Sequence, residues 1–175
     1  GQERKAREPP AAATQPPHLA GVVVSCNVSS LKGKKGKRVN LINAIFAHHP
    51  HLLALALQET RIGMDSIPTI RPELIYLCPD IKDDHVIRKR APTGALPHKN
   101  GLTSGLAIVT RRSYAPRVLP DFTNGDMLTA SLTISHSGSN ETIYVSCIYI
   151  NPSGKSKKTS VRTIRSALIR LFNAH

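Results

Sequence analysis

The sequence predicts an α/β fold in which strands and amphipathic helices alternate. Two apolar runs of strand length occur at residues 21–26 and 52–57. Between them, apolar residues recur at spacings of three and four, the period of a helix. Further along, apolar and polar residues alternate on both sides of a turn signal, as in an antiparallel hairpin. The two apolar runs and the helical segment between them predict a strand, a helix and a strand with an apolar crossover, which is a βαβ-like layer.

The first predicted strand runs from Gly21 to Cys26 and is rich in valine. Such a run, without polar alternation, is typical of a strand that is buried on both faces. Leu52 to Leu57 fits a helix or a strand by periodicity, but its short length and the preceding Pro50 favour a strand, which we place in the centre of a sheet. Arg38 to about Ala47 is predicted to be a helix. Its sheet-facing side carries Val39, Ile42, Ile45 and Phe46.

A polar side chain follows each of these two strands, Asn27 after the first and Glu59 after the second. Ligands in open α/β sheets tend to bind at the carboxyl ends of strands, so we expect the two side chains to lie close together. A carboxylate there can hold Mg²⁺, which takes few protein ligands, and an amide can orient a carboxylate or a phosphate oxygen. On the residues alone, a surface glutamate and a turn-capping asparagine is the simpler interpretation.

The downstream chain supplies further strands. Leu74 to Leu77 is predicted to be a short strand, and residues 79–100 a long surface loop. Gly105 to Thr110 is a second apolar strand. Residues 128–134 and 142–150 form the predicted hairpin.

A C-terminal helix is predicted to begin at Thr159 or Ser160. Its apolar face carries Val161, Ile164, Leu168, Leu171 and Phe172, whereas Arg162, Arg165 and Arg170 face solvent.

The chain is strongly basic, with 24 Lys and Arg against 11 Asp and Glu, a net charge of +13 and a pI near 10.2. This balance favours a polyanionic partner, most simply nucleic acid. A basic Gly/Lys segment, residues 32–38, begins five residues after Asn27. It is equally compatible with a phosphate-binding loop and with a solvated loop. The predicted nucleic-acid-binding residues are Lys32, Lys34, Lys35, Lys37, Arg38, Arg61, Arg88, Lys89 and Arg90.

The chain length predicts one globular domain, residues 19–175, preceded by a Pro-rich, disordered, basic lead at residues 1–18. No apolar run approaches the roughly 18 residues of a membrane span, so no membrane partner is expected. Cys26, Cys78 and Cys147 lie within or beside apolar runs and are widely spaced. They are predicted to be reduced core residues, which favours an intracellular protein.

Four motifs follow one another along the chain. They are Cys26-Asn27-Val28-Ser29-Ser30-Leu31, Leu55-Ala56-Leu57-Gln58-Glu59-Thr60, Ser104-Gly105-Leu106-Ala107-Ile108-Val109 and Ile148-Tyr149-Ile150-Asn151-Pro152-Ser153. In this order they resemble the endonuclease/exonuclease/phosphatase superfamily, with its Asn-bearing first strand, its L-x-L-Q-E-T segment, its small-Gly-apolar strand and its Tyr-bearing strand end. The L-x-L-Q-E-T match is the most specific. Within the superfamily, the chain is most similar to LINE-type retrotransposon and apurinic endonucleases.

This resemblance implies a DNase I-like four-layer α/β sandwich and Mg²⁺-dependent hydrolysis of phosphodiester bonds, with Mn²⁺ as the alternative ion. It implies that Glu59 is a metal ligand, that Asn27 is both catalytic and part of the metal site, and that Tyr149 is catalytic beside the scissile phosphate. Tyr149 would act through its hydroxyl, or as a phenolate if electropositive surroundings lowered its pKa. DNA is expected rather than RNA, and the nucleus rather than the cytoplasm.

The superfamily's G-D-x-N and S-D-H motifs do not occur after Phe172. We therefore expect a partial sandwich, truncated before its C-terminal strands, inactive by itself and exposing sheet edges. The rest of its polyprotein, or another chain, would complete the fold. The alternative function is a non-catalytic RNA- or DNA-binding subunit of a ribonucleoprotein, built on a degenerate form of the fold. A phosphatase of inositol phosphates or lipids is a third possibility, but the basic loops fit a polymer better.

Overall fold

The computed structural model describes residues 21–31, 37–62, 69–78, 96–98, 101–103, 105–124, 126–136, 138–150 and 157–174. The strands are β1 (Val22–Asn27), β2 (Leu52–Gln58), β3 (Leu74–Leu77), β4 (Leu96–His98), β5 (Gly101–Thr103), β6 (Leu106–Arg111), β7 (Arg117–Val118), β8 (Met127–His136) and β9 (Ser139–Ile148). The helices are α1 (Lys37–His48) and α2 (Lys157–Ala174). Neither helix combines the length and the apolar character needed to cross a membrane.

The first sheet has the strand order β1-β2-β6-β3. β1 and β2 are parallel and are connected through α1, which confirms the predicted βαβ-like unit. β6 is antiparallel to both of its neighbours, β2 and β3. β2 therefore lies inside the sheet, as predicted, whereas β1 forms one edge.

The second sheet has the order β7-β8-β9, and β8 and β9 form the predicted antiparallel hairpin. A separate antiparallel pair, β4 with β5, lies at the end of the segment that was predicted to be a loop. That prediction is wrong for residues 96–98. His98 pairs with Gly101, so two residues connect the strands, which is the commonest length for a tight hairpin. The polar composition of the segment obscured this signal in the sequence. Residues 79–95 and 99–100 lie outside the described residues.

Alternating large and small residues on β2 fill both faces of the first sheet. Leu55 and Leu57 belong to the cluster that includes Ile42 and Phe46 of α1. Ala54 and Ala56 pack instead with apolar residues of β8 and β9 in the second sheet. Because successive strand residues point to opposite faces, the large side chains meet the helix and the small ones lie between the sheets.

The outer face of the second sheet packs against α2, where Met127 of β8 contacts Ile164 and Ala167. The layers therefore follow the order α1, first sheet, second sheet, α2, which confirms the predicted α/β sandwich. The apolar stripe of α2 is narrower than predicted, because Phe172 is 82% exposed and Val161 is 46% exposed. Phe172 follows the buried Leu171 and so points about 100° away from it around the helix.

β1 is exposed along its whole length, so the prediction that it is buried on both faces is wrong. Val22, Val23 and Val24 are 54%, 47% and 39% exposed. The physical reason is its position: β1 is the edge strand, and the second sheet contacts β2 and β6 through β8 and β9. The core prediction for the cysteines holds for Cys147, which is buried, but not for Cys26 on β1.

Candidate active site

Asn27 and Glu59 meet at the carboxyl ends of the two parallel strands. The register pairs Asn27 with Gln58, so Glu59 is one residue beyond the pair. Asn27 Nδ2 donates a hydrogen bond to Glu59 Oε1 at 3.0 Å. Asn27 Oδ1 accepts from the backbone N–H of Ser29 at 3.0 Å, as in an Asx-turn, which fixes the orientation of the amide. The predicted proximity of the two side chains is therefore confirmed.

Tyr149 reaches the same carboxylate from the second sheet. It directly follows β9, and its backbone N–H donates to the carbonyl oxygen of Asp126 at 3.0 Å. Its hydroxyl donates to Glu59 Oε1 at 2.7 Å. The carboxylate is therefore the point where the ends of β1, β2 and β9 come together.

Arg61 contacts the other oxygen of the carboxylate, with its Nη2 atom 2.9 Å from Glu59 Oε2. Glu59 and Arg61 have φ angles of 55° and 52°, in the left-handed region that non-glycine residues rarely adopt. Such residues cost about 1–3 kcal/mol each and persist only where the surroundings impose them. This turned backbone places the two side chains next to each other.

Thr60, between these two residues, is the anchor of the strained segment. It is fully buried. Its backbone N–H donates to the carbonyl oxygen of Gly105 at 3.2 Å, and its own carbonyl oxygen accepts from the N–H of Leu31 at 2.7 Å. These bonds to two distant segments hold the backbone of the segment in place.

Gln58 is a positioning residue that the sequence did not assign. Its Nε2 atom donates to Ser25 Oγ at 2.6 Å and lies 3.7 Å from Cys147 Sγ. It therefore connects β1, β2 and β9 directly beside the carboxylate. Burial raises the pKa of Cys147 to about 12, so this thiol keeps its proton and donates to the carbonyl oxygen of Leu57. The only sequence signal for Gln58 was its place in the Gln-Glu-Thr motif.

The hydrogen bonds around Glu59 keep it ionised. Its side chain is 16% exposed. The hydroxyl of Tyr149 and the amide of Asn27 lower the pKa of Glu59, with a further contribution from Arg61, and these effects outweigh the opposing effect of burial. The site therefore carries a carboxylate at neutral pH.

The pKa of Tyr149 shifts in the opposite direction to that of Glu59. Its pKa is raised, mainly by the hydrogen bond to Glu59, because losing the proton would leave two negative oxygens in contact. Tyr149 therefore acts as a hydroxyl donor here. The group nearest to the phenol is an anion, which favours the hydroxyl over the phenolate in this arrangement. The catalytic role of Tyr149 stays a prediction.

The donor set fits a cation that keeps much of its own water. The Glu59 carboxylate is the kind of hard oxygen ligand that Mg²⁺ prefers, and Mg²⁺ often takes only one or two carboxylates. Asn27 turns its Nδ2 atom toward Glu59 and its Oδ1 atom toward Ser29, so the amide oxygen would have to reorient to bind the same ion. Across the described ranges, no group of three or more His, Cys, Asp or Glu residues is placed to hold a metal, so a closed zinc-type cage does not fit. Both oxygens of Glu59 already accept protein hydrogen bonds. The metal-binding roles of Glu59 and Asn27 stay predictions.

Of the predicted nucleic-acid-binding residues, Arg61 lies in the site itself. Lys37 and Arg38 form the start of α1. Those outside the described residues are Lys32, Lys34, Lys35, Arg88, Lys89 and Arg90. Their contacts with phosphate stay predictions.

Comparison with known proteins gives structural neighbours only. No protein family model matches the chain, and no curated protein matches it. Among solved structures, the chain is similar to the endonuclease domain of TRAS1, a telomere-specific non-LTR retrotransposon, with 14% identity and a TM-score of 0.48 over 81% of this chain and 52% of that one. It is also similar to an endonuclease/exonuclease/phosphatase family protein from Leptotrichia buccalis C-1013-b, with 14% identity and a TM-score of 0.43 over 82% of this chain and 61% of that one. The chain thus spans between half and two thirds of these neighbours.

Proposed function

We propose that the Glu59 cluster belongs to an Mg²⁺-dependent endonuclease, of retrotransposon origin, that hydrolyses phosphodiester bonds in DNA, with Mn²⁺ as an alternative ion. The observation that carries this proposal is the convergence of Asn27, Glu59 and Tyr149 on one ionised carboxylate. These groups come from three strand ends in two sheets. A surface glutamate with a turn-capping asparagine would not require the second sheet to supply a hydroxyl to the same oxygen.

Each residue has a distinct role in this proposal. Glu59 would hold the cation through its negative charge, and the bound cation would supply Lewis-acid polarisation of a phosphoryl oxygen and stabilisation of the leaving oxyanion. Asn27 is held by Ser29, so its amide keeps a fixed orientation toward the carboxylate and the phosphate. Tyr149 keeps its proton, and its hydroxyl would donate a hydrogen bond to a phosphate oxygen in place of the one it donates to Glu59 Oε1. The basic chain draws DNA toward the site.

The test is the nicking of supercoiled plasmid in Mg²⁺ by the wild type and by Glu59→Gln. We expect slow nicking at best, because the described residues place neither a second carboxylate nor an imidazole beside Glu59 to activate water. Whatever metal-dependent nicking occurs should disappear in Glu59→Gln and in EDTA. Nicking that survives Glu59→Gln would show that this carboxylate does not hold the catalytic cation.

Arg71→Gln is the matched control for this test. Arg71 forms an ion pair with Glu73, two residues along the chain, and both side chains are more than 40% exposed. The substitution removes one positive charge away from the site, so it leaves nicking unchanged if the loss in Glu59→Gln reflects the site itself.

The second candidate is a non-catalytic RNA- or DNA-binding subunit of a ribonucleoprotein, which the net charge of +13 favours. The logarithm of its binding constant should fall linearly with the logarithm of the salt concentration. The discriminating measurement is fluorescence anisotropy with labelled duplex DNA and RNA, with and without a divalent cation. Affinity that is steeply salt-dependent, indifferent to the cation and unchanged in Glu59→Gln supports the binder over the nuclease.

The partner and location remain part of the proposal. Among the described strands, β1 and β9 each end a sheet, and we propose that the rest of the same polyprotein adds strands beside them. For a DNA endonuclease of retrotransposon origin, we propose a location in the nucleus. Co-expression with those segments should protect the Val23 and Ser25 amides from hydrogen exchange, whereas unchanged exchange contradicts the assignment.

A further inference from the structure

The two oxygens of Glu59 are not equivalent. Oε1 accepts from Asn27 and Tyr149, which are neutral donors on two other strands. Oε2 is paired with Arg61, a cation on the same segment. A positively charged group therefore already occupies one side of the carboxylate, at the position where a divalent cation would be attracted.

The guanidinium of Arg61 is only partly satisfied in this position. Arginine commonly binds a carboxylate through two parallel N–H···O hydrogen bonds. Here Nη2 makes the contact, while Nε is buried and has no hydrogen-bond partner among the described residues. A buried donor without a partner is costly, so this arrangement favours a second acceptor beside Glu59. The side chain as a whole is 43% exposed, which leaves it room to move.

The backbone places the side chains of Glu59 and Arg61 next to each other. Glu59 and Arg61 are both left-handed, and the buried Thr60 between them is tied to Gly105 and Leu31. The two side chains are therefore held together by a strained turn that the rest of the fold imposes. An ordinary ion pair between flexible side chains on the surface would not require two residues with positive φ angles.

We propose that Arg61 is the resident counter-cation of Glu59, which leaves Oε2 when a divalent cation binds and transfers its guanidinium to a phosphate of the bound DNA. This inference rests on the proposed function and assigns Arg61 a positioning role within it. In the metal-free protein Arg61 neutralises the carboxylate and competes with the cation. When the cation and phosphate are both present, Arg61 exchanges one anion for another, so metal binding and phosphate binding strengthen each other.

The experiment measures Mn²⁺ binding in the absence of DNA, by the loss of the electron paramagnetic resonance signal of free Mn²⁺. Four variants are compared with the wild type at low ionic strength: Arg61→Gln, Arg61→Lys, Glu59→Gln and Arg71→Gln. Circular dichroism and a thermal melt verify that each is folded. We expect Arg61→Gln to bind Mn²⁺ about fivefold more tightly, the scale set by one partly exposed charge pair.

The controls separate the charge from its geometry. Arg61→Lys keeps the charge and should bind Mn²⁺ within about twofold of the wild type. Arg71→Gln removes the same charge from a comparable arginine–glutamate pair elsewhere, and should leave the affinity unchanged. Tighter binding in both glutamine variants would mean a general effect of net charge and would overturn the role of Arg61.

The remaining outcomes distinguish this inference from the proposed function. If the wild type binds Mn²⁺, Glu59→Gln abolishes binding and Arg61→Gln binds no more tightly, the competition is refuted while the metal site stands. If neither the wild type nor Arg61→Gln binds, or if binding survives Glu59→Gln, the metal site fails and the inference fails with it. Binding that appears only in Arg61→Gln supports both.

The transfer to phosphate has its own measurement. Fluorescence anisotropy with a short DNA duplex gives the affinity in EDTA and in Ca²⁺, used as a substitute cation. For the wild type, Ca²⁺ should favour DNA binding about fivefold more than it does for Arg61→Gln. An equal response in the two proteins would show that Arg61 does not move to phosphate.

Discussion

β1 and β2 are neighbouring parallel strands with similar apolar sequences, yet they are held in the fold by different forces. In β2, Leu52 to Leu57 are all buried. β1 is exposed throughout and is joined to its neighbour by hydrogen bonds. The backbone N–H of Val22 donates to His51 and that of Val28 to Gln58, both at 3.0 Å. The difference shows that an apolar run defines a strand, but that its neighbours decide whether the strand is buried.

The same comparison explains how the site is built. β2 is fixed by packing on both faces, so Glu59 at its end has a rigid base. β1 provides Asn27 and is positioned partly by the site itself, through the Asn27–Glu59 and Ser25–Gln58 hydrogen bonds. β2 therefore contributes buried apolar area as well as the carboxylate, whereas β1 contributes mainly the polar side chains of Ser25 and Asn27.

The largest expected effect comes from truncating a buried residue of β2. Leu55→Ala should lower the free energy of unfolding by about 2–5 kcal/mol, because it leaves a cavity between α1 and the sheet. Val24 is paired with Leu55 in the register and is the matched control on β1. Val24→Ala should lower the free energy of unfolding by less than about 1 kcal/mol. Urea unfolding measures both, and equal losses would contradict the distinction between the strands.

A smaller effect is expected from the bond that connects the second sheet to the site. Tyr149→Phe removes the hydroxyl that donates to Glu59 Oε1 at 2.7 Å. A hydrogen bond to a charged group contributes about 1.5–3 kcal/mol, so we expect a loss at the lower end of this range for a contact near the surface. Urea unfolding at neutral pH measures it. No loss would mean that packing alone holds Tyr149 in place.

The ionisation of Glu59 should make part of this stability depend on pH. The pKa of Glu59 in the folded protein lies below its usual value of 4.5. Its contribution is therefore fully present above about pH 4.5 and is lost as the pH falls through the lower folded value. Unfolding measured from pH 7 to pH 3 should show a smaller acid loss in Tyr149→Phe than in the wild type. Parallel curves would indicate that Tyr149 does not lower this pKa.

The smallest effect is expected at the open edge of β1. Val23→Lys places a charge on a side chain that is already 47% exposed, and it should change the free energy of unfolding by less than about 0.5 kcal/mol. A lysine on an edge strand opposes pairing with other strands, so self-association should decrease. Light scattering over a range of concentrations measures this. A large loss of stability would mean that Val23 is packed as tightly as the residues of β2.

Much of the fold could be predicted because its signals are local. The three-and-four spacing of Ile42, Ile45 and Phe46 predicts α1, and the alternation in β8 and β9 predicts the hairpin. The proximity of Asn27 and Glu59 could also be predicted, because neighbouring parallel strands end at the same edge of a sheet. The β4–β5 pair was missed, because its strands are short and lie in a polar segment.

Other features depend on contacts that no local pattern contains. The pairing of Arg61 with Glu59 requires two left-handed residues, which nothing in the residue types indicates. The bridge made by Gln58 requires Ser25 and Cys147 to come from different sheets. The exposure of β1 depends on which strands lie beside and beneath it.

The sequence by itself determined the types of the main elements, the basic character of the chain and the two strand-end residues at the centre of the site. These properties follow from periodicity and composition, which act over a few residues at a time. Only the tertiary structure decided that β1 is an edge strand among the described residues, that the Tyr149 hydroxyl donates a hydrogen bond to Glu59, and that the Arg61 guanidinium pairs with Glu59 Oε2. The physical reason is that burial and electrostatic environment are created by residues far apart in the chain, and exist only once the two sheets have packed.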